Sequence, residues 1–477
     1  MKTPILGSSY VARSVNAADN RMVNLFPEII PEGGKEPAFL IRAPGLTLVV
    51  QVGSGPIRGI KRVKSILYVV SGNKLYKVDT SYIVTEIGTV TGSGQVSMSD
   101  NGIQLFIACN PDGFIYNLNT LVFSQITDSN FPGAVTVDFI DNYFVFNEPN
   151  SQKLWITELL DGTSIDALDF ASAEGLPDDI VGLIVDHREL WVFGTESTEI
   201  WYNAGTSDFP LQRIQGAFNE IGCVAPYSIS KLDNSVIWLG SDNRGQGIVY
   251  RANGYIGQRI STHSVEWKIQ QYSTLSDAVS YSYQQDGHSF YVITFPSGNA
   301  TWVYDISTNS WHERASFSNG SFGRHRSNCQ AFFNDKILLG DYENGNIYNF
   351  DLDNYTDNSS IQRWLRTWRA LPTGTNNLKR TINHSLQLDC ESGVGLNSGQ
   401  GDDSQIILRW SDDGGHTWSN EHWSSIGKIG KYGYRAIWRR LGSTSKIRDR
   451  IFEISGSDPV KIIINGAVLD VEEINKS

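Results

Sequence analysis

One short phrase recurs seven times along this chain of 477 residues: a turn signal, a run of β-branched and aromatic residues, then a second apolar run. The central runs are Ile66–Val70, Leu105–Ala108, Tyr143–Phe146, Leu190–Phe193, Val236–Leu239, Phe290–Ile293 and Ile337–Leu339. Tight-turn residues precede most of them, at Asp100-Asn-Gly102, Asp141-Asn142, Asp186-His187, Asp233-Asn234, Asp286-Gly287 and Asn334-Asp335. An outer strand is expected after each, at Lys74–Val78, Phe114–Tyr116, Leu154–Ile156, Glu199–Tyr202, Ile248–Tyr250, Thr301–Tyr304 and Ile347–Phe350. A period of roughly 40 to 50 residues is that of a propeller blade. A blade buries both faces only between two neighbours, so the repeat implies a closed ring.

Three regions follow. Residues 1–55 lack the period and read as an extended N-terminal arm with Pro4, Pro27, Pro31, Pro37 and Pro44. The arm has three placements open to it: a strand donated to the last blade, a reach to a neighbouring subunit, or a linker on its own domain. Residues 56–360 are the β-propeller, with about seven blades and longer loops at Thr206–Leu211 and Ile256–Ile260. Residues 361–477 break the period. Alternating runs at Ser385–Asp389, Ile406–Trp410, Tyr434–Trp438, Ile451–Ile454 and Val460–Ile464 indicate a C-terminal β-sandwich, making the fold all-β.

Charge is divided unevenly. Residues 361–477 carry 16 Lys/Arg against 13 Asp/Glu, while residues 1–360 carry 23 against 38. The acidic ring disfavours nucleic-acid binding in the usual sense. No apolar stretch nears the length of a membrane span, and the first ten residues lack the long apolar core of a secretory signal. Cys109, Cys223, Cys329 and Cys390 lie far apart without CxxC spacing, which points to free, mostly buried thiols and suits a reducing cytoplasm.

The sharpest local motif is Ser411-Asp-Asp-Gly-Gly-His-Thr-Trp418. It fits the Asp-box pattern through Ser411, Asp413, Gly415, Thr417 and Trp418, and reads as a structural hairpin turn with Trp418 packed beneath. No pair of acids stands out for glycoside hydrolysis. His187, His263, His288 and His312 have no metal-ligand spacing and are expected at surfaces or turns. Catalytic, cofactor-binding and metal residues are therefore expected to be none. One charge run is distinctive: Arg435, Arg439, Arg440, Lys446, Arg448 and Arg450 face a single acid, Asp449, between Lys428 and Arg450. It reads either as a solvated strand face or as a docking strip for an acidic partner, since arginine pairs bidentately with carboxylates.

Several segments carry a family resemblance: Gly72–Val78, Gly92–Ser99, Ile437–Gly442, Arg448–Ile454 and Ser457–Val460, with a looser match at Asn24-Leu-Phe-Pro27 and Ala43-Pro-Gly45. In order and total length the chain resembles the packaged-DNA stabilisation proteins of short-tailed phages, also called tail accessory or tail hub proteins, known from Salmonella phages. The resemblance implies a non-enzymatic virion component, assembled in the host cytoplasm as a homo-hexamer beneath the portal and its adaptor ring. It implies retention of packaged DNA and ejection through a channel without sequence-specific binding. It also implies a tailspike or fibre at the side, a tail needle or plug below, and no membrane insertion. The competing expectation is a carbohydrate-binding or sialidase-like propeller, favoured by the Asp box and abundant Trp. That alternative requires an axial pocket with convergent Trp, Arg and carboxylates.

Overall fold

A computed structural model describes residues 1–14, 18–206, 209–371, 375, 379–445 and 448–474. Seven antiparallel sheets succeed one another from residue 57 to residue 351, and each central run is the second strand of its sheet. We number these sheets blades 1 to 7. The second strands run Ile66–Ser71, Gln104–Cys109, Tyr143–Asn147, Glu189–Gly194, Val236–Asp242, His288–Phe295 and Lys336–Asp341. The turns before them explain the register. Asp141 and Asn142, Asp233 and Asn234, and Asn334 and Asp335 all have positive φ, the type I′ geometry that matches strand twist. In blade 4 the left-handed pair is His187 and Arg188, one residue beyond Asp186-His187.

The runs expected as outer strands are third strands, because a fourth lies outside most of them. Val84–Thr89, Phe123–Gln125, Phe170–Ser172, Leu211–Asn219, Ile256–Arg259 and Ser310–Ser318 take that place in blades 1 to 6. Strands such as Val84–Thr89 and Phe123–Gln125 are free edges half in water, so their apolar pattern is weak, whereas Ser310–Ser318 is largely buried. In blade 7 the fourth strand is Gly45–Gln51, which pairs antiparallel with Asn346–Asp351. The ring is thus closed by residues from the other end of the propeller sequence.

Each junction between consecutive blades holds its own apolar cluster. Leu105 and Val70 meet between blades 1 and 2, Phe106 and Phe144 between 2 and 3, and Trp238 and Phe193 between 4 and 5. Between blades 7 and 1, Leu338 and Val69 close the circuit. Burying one such side chain contributes about 1.5–3 kcal/mol. Cys109, Cys223 and Cys329 are buried free thiols in these layers, and Cys390 is half-buried. One short helix, His263–Ile269, crosses from blade 5 to blade 6, started by the Thr262 side chain accepting from Val265 N–H.

The C-terminal sandwich is built from both ends of the chain. One sheet orders Ala436–Arg439, Thr381–Cys390, Ile463–Glu473, Ala38–Arg42 and Leu25–Ile29, with Lys2–Thr3 against the last long strand. The other orders Met22–Val23, Trp364–Arg369, Ile451–Gly456, Gln405–Ser411 and His422–Ser425. Two expected strands shift: Tyr434 and Arg435 precede the strand at Ala436, and Val460–Ile462 precede the one at Ile463. Met22, Leu25 and Leu40 of the arm sit in the same core as Trp364, Trp368, Phe452 and Ile454.

Val23 pairs with both Glu313 of blade 6 and Leu365 of the sandwich, so one ten-stranded sheet runs through both lobes. Beside it Asn24, buried and at φ 53°, donates to the carbonyls of Ala315 at 2.8 Å and Arg363 at 2.7 Å and accepts from Ala315 N–H at 2.9 Å. Arg42, fully buried, donates to the carbonyls of Val460 at 2.9 Å, Tyr355 at 3.1 Å and Gln362, and also to that of Asp458. These contacts make the two lobes one block.

Candidate functional site

The propeller axis is the first place to look. Innermost strands of blades 1, 2, 3, 4, 6 and 7 and the short Ser230–Lys231 segment of blade 5 converge there on a cavity of about 420 Å³. Lys61, Gln95, Thr136, Asp138, Lys231 and Gln330 are among its lining. Side chains stitch one inner strand to the next. Asn328 donates to the Gln95 side chain at 2.9 Å, Ser99 to Asp138 at 3.0 Å, Ser282 to the Lys231 carbonyl at 2.5 Å, and Tyr281 shares a 2.7 Å bond with Ser327.

Asp138 is the carboxylate of this lining. Its oxygens accept from Ser99 Oγ at 3.0 Å and Val185 N–H at 2.8 Å, with Lys231 Nζ at 3.6 Å. Glycoside hydrolysis requires a second carboxylate about 5–10 Å away. The cavity lining supplies none, and no Trp or Arg converges on it. The axis is therefore a hydrogen-bonded seam around a small polar cavity, without the arrangement a sugar-cleaving propeller demands.

The Asp box forms the hairpin between Gln405–Ser411 and His422–Ser425. Ser411 Oγ donates to Asp413 at 2.7 Å and accepts from Gly415 N–H at 2.8 Å; Thr417 N–H and Oγ1 donate to Asp413 at 2.9 Å and 2.6 Å. These donors hold the Asp413 carboxyl well below the ordinary range, the Thr417 hydroxyl most of all. Trp418 is half-buried with Arg409 over its ring at 5.3 Å. The side chains of Ser411, Asp413 and Thr417 and the Gly415 N–H are spent on the turn itself.

The basic run does not form one strip. Arg439 and Arg440 are exposed at the end of Ala436–Arg439, Arg435 is exposed in the loop before it, and Arg448 is exposed in a later loop. Lys446 lies outside the described residues. Arg450 departs from the expectation: it is buried, donating to Asp412 Oδ1 at 2.6 Å and Oδ2 at 2.7 Å and to the Leu441 carbonyl at 2.7 Å. It stands just before the strand Ile451–Gly456, held inward by the Asp412 carboxylate and the Leu441 carbonyl, and charge counting cannot see that. Asp449 is also buried and ion-paired to Arg369.

The histidines likewise divide. His187 lies at a turn, bonded to Asp186 at 2.7 Å and Asn234 at 2.6 Å, and His263 is exposed at the helix start. His288 and His312 are buried, correcting the surface expectation. His288 bonds Asp305 at 2.7 Å, while His312 packs on Phe26 with neither ring nitrogen bonded. Burial pulls the His312 pKa well below the ordinary histidine value, with Arg314 adding to the effect. Among the described residues no cluster of three or more His, Cys, Asp or Glu could hold a metal ion.

Several solved structures are distantly similar to part of the chain. A computationally designed protein, Ika8, matches at 11% identity, covering 65% of this chain and 99% of its own, with a TM-score of 0.39. The N-terminal domain of Nup159 matches at 10% identity over 68% and 97%, TM-score 0.40, and YCF48 at 12% over 65% and 99%, TM-score 0.39. No curated protein sequence matches the chain. Two family models together match nearly its whole length: the β-propeller of bacteriophage P22 Gp10 at residues 1–355 and the β-sandwich of the same protein at residues 364–472. The chain therefore belongs to the bacteriophage P22 Gp10 family and is a structural component of a short-tailed phage virion tail.

Proposed function

We propose that this chain is the hub of the tail. Six copies assemble in the host cytoplasm under the portal and its adaptor ring, keep packaged DNA in place, and carry the spikes or fibres and the tail needle. DNA passes along the assembled channel without sequence-specific contact. The observation that carries this reading is the ten-stranded sheet joining blade 6 to the sandwich through Val23. A hub transmits load between neighbours above, below and beside it, and lobes joined by a shared sheet and buried side chains move together where linker-joined lobes would not. The exposed pair Arg439 and Arg440, with no ion pair among the described residues, offers docking cations for an acidic partner surface.

The test is complementation of a phage lacking this gene. Particles without the protein are expected to package DNA and lose it, and added wild-type protein to restore retention. Arg439→Glu with Arg440→Glu is expected to reduce incorporation at least tenfold while the melting temperature is unchanged. Normal DNA retention in particles without the protein would end the hub reading.

A further inference from the structure

The two faces of the propeller differ in a way the repeat does not foreshadow. In each blade the first and third hairpins emerge on one face and the second hairpin on the other, because successive strands are antiparallel. The second hairpins expose no large apolar side chain among the described residues. The third hairpins expose many: Ile83 in blade 1, Leu121 and Val122 in blade 2, Leu159 and Leu168 in blade 3, and Ile256 in blade 5. Leu168 retains 79% of its surface to solvent. Apolar side chains gathered on one face, rather than scattered singly, mark an interaction surface.

That face is also acidic. Six of its first hairpins carry an aspartate: Asp100, Asp141, Asp186, Asp233, Asp286 and Asp335. Around the exposed leucines, residues 157–169 carry Glu158, Asp161, Asp166 and Asp169 and no Lys or Arg. Asp169 has its pKa raised by burial and by the neighbouring charges of Asp166 and Glu158, a sign that this cluster lacks local cations.

The opposite chemistry sits on the sandwich of the same chain. The loop Gly427-Lys-Ile-Gly-Lys-Tyr-Gly-Tyr-Arg435 exposes Ile429, Tyr432 and Tyr434 between Lys428, Lys431 and Arg435. Tyr432 is 76% exposed, although its backbone is held by Ser392 Oγ donating to its carbonyl at 2.8 Å. Lys428 stands 3.7 Å from Asp402, while Lys431 and Arg435 make no ion pair among the described residues. Tyrosine on a glycine-rich loop gives a large amphipathic contact at low entropic cost, and the flanking cations match an acidic target.

We infer that the Gly427–Arg435 loop of one copy docks on the acidic, leucine-bearing hairpin face at blades 2 and 3 of a second copy. Both surfaces are exposed within a single chain, so they do not satisfy one another there. The sandwich is fixed to blades 6 and 7, whereas blade 3 lies across the ring from that junction. Each copy therefore presents the two halves of the contact at different places, the condition for head-to-tail association that closes into a ring. The inference rests on the multi-copy reading above and names the surfaces that would build it.

The experiment uses the full-length protein in sedimentation velocity with two charge variants. One carries Lys428→Glu, Lys431→Glu and Arg435→Glu; the other carries Leu159→Glu and Leu168→Glu. All five positions are exposed or surface-facing, so melting temperatures should match wild type. Wild type is expected to self-associate, more weakly at 1 M salt than at 0.1 M as screening shortens to about 3 Å. Each variant alone should bind itself at least tenfold more weakly. An equimolar mixture should form a heterodimer and nothing larger, because one intact loop meets one intact hairpin face. A wild type that stays monomeric, variants that associate normally, or a mixture that forms no heterodimer would each overturn the contact. A monomeric chain still present in purified tails would leave the tail reading standing, and a chain that associates through this contact yet is absent from virions would break the tail reading alone.

Discussion

The propeller and the sandwich solve the same problem of covering sheet surfaces in opposite ways. In the propeller each blade is covered by the next, and short hairpins bring neighbours together from adjacent sequence. Leu190 and Val192 of blade 4 meet Val145 and Leu154 of blade 3 within one repeat length. The sandwich covers its sheets with distant sequence: Lys2 pairs with Val468 and Leu40 with Ile464, while Phe26 pairs with Ile41 beside them. A ring of repeats gains stability neighbour by neighbour, whereas the sandwich is incomplete until the first residues return to it. The N-terminal 50 residues thus tie together two lobes that would otherwise be separate folding problems.

Asn24→Leu tests that difference most severely. It leaves the Ala315 N–H and the carbonyls of Ala315 and Arg363 without their buried partner. At about 1–3 kcal/mol for each unsatisfied group, the expected loss is about 4 kcal/mol or more. Calorimetry should show the sandwich melting ahead of the propeller; a single transition at the wild-type temperature would show that the lobes do not depend on this residue.

Gly45→Ala acts next, on ring closure. An added Cβ would lie 2.5 Å from the backbone oxygens of Asn354 and Thr356, and backbone cannot rotate away. A loss of about 1–3 kcal/mol is expected, carried by the propeller transition. An unshifted propeller melt would mean that Gly45–Gln51 is dispensable for closure.

The smallest effect is pH-dependent and sits where the lobes meet. Burial pushes the Asp357 carboxyl up to about 7 against the pull of Arg42, and one of its oxygens has no hydrogen-bond partner. A carboxyl raised in the folded state favours folding when protonated, so this contribution is full below pH 3.8 and fades as pH rises through about 7. Asp357→Asn should therefore gain on wild type by about 1–3 kcal/mol above pH 7 and by little near pH 4. A constant difference in melting temperature across that range would contradict the assignment.

Particular elements show what could be read in advance. The second strands of the blades were legible because they are largely buried on both faces and write continuous runs such as Gln104–Cys109. The fourth strands were not, since Phe123–Gln125 and Val84–Thr89 are half in water and carry mixed residues. The Asp box could be read as a turn because the hydrogen bonds among Ser411, Asp413, Gly415 and Thr417 are local. Arg450 could not be assigned to the interior, because its partner Asp412 lies 38 residues earlier, in the Asp-box turn.

The sequence by itself determined the blade period, a count of about seven, most turn positions and the lobe order, because these depend on residues close in the chain and on a period that repeats. Tertiary structure alone decided that Gly45–Gln51 closes blade 7, that Val23 splices blade 6 to the sandwich, and that exposed leucines gather on one face. Those outcomes depend on which distant edges meet and which face each hairpin leaves to water, and no local pattern of residues encodes either.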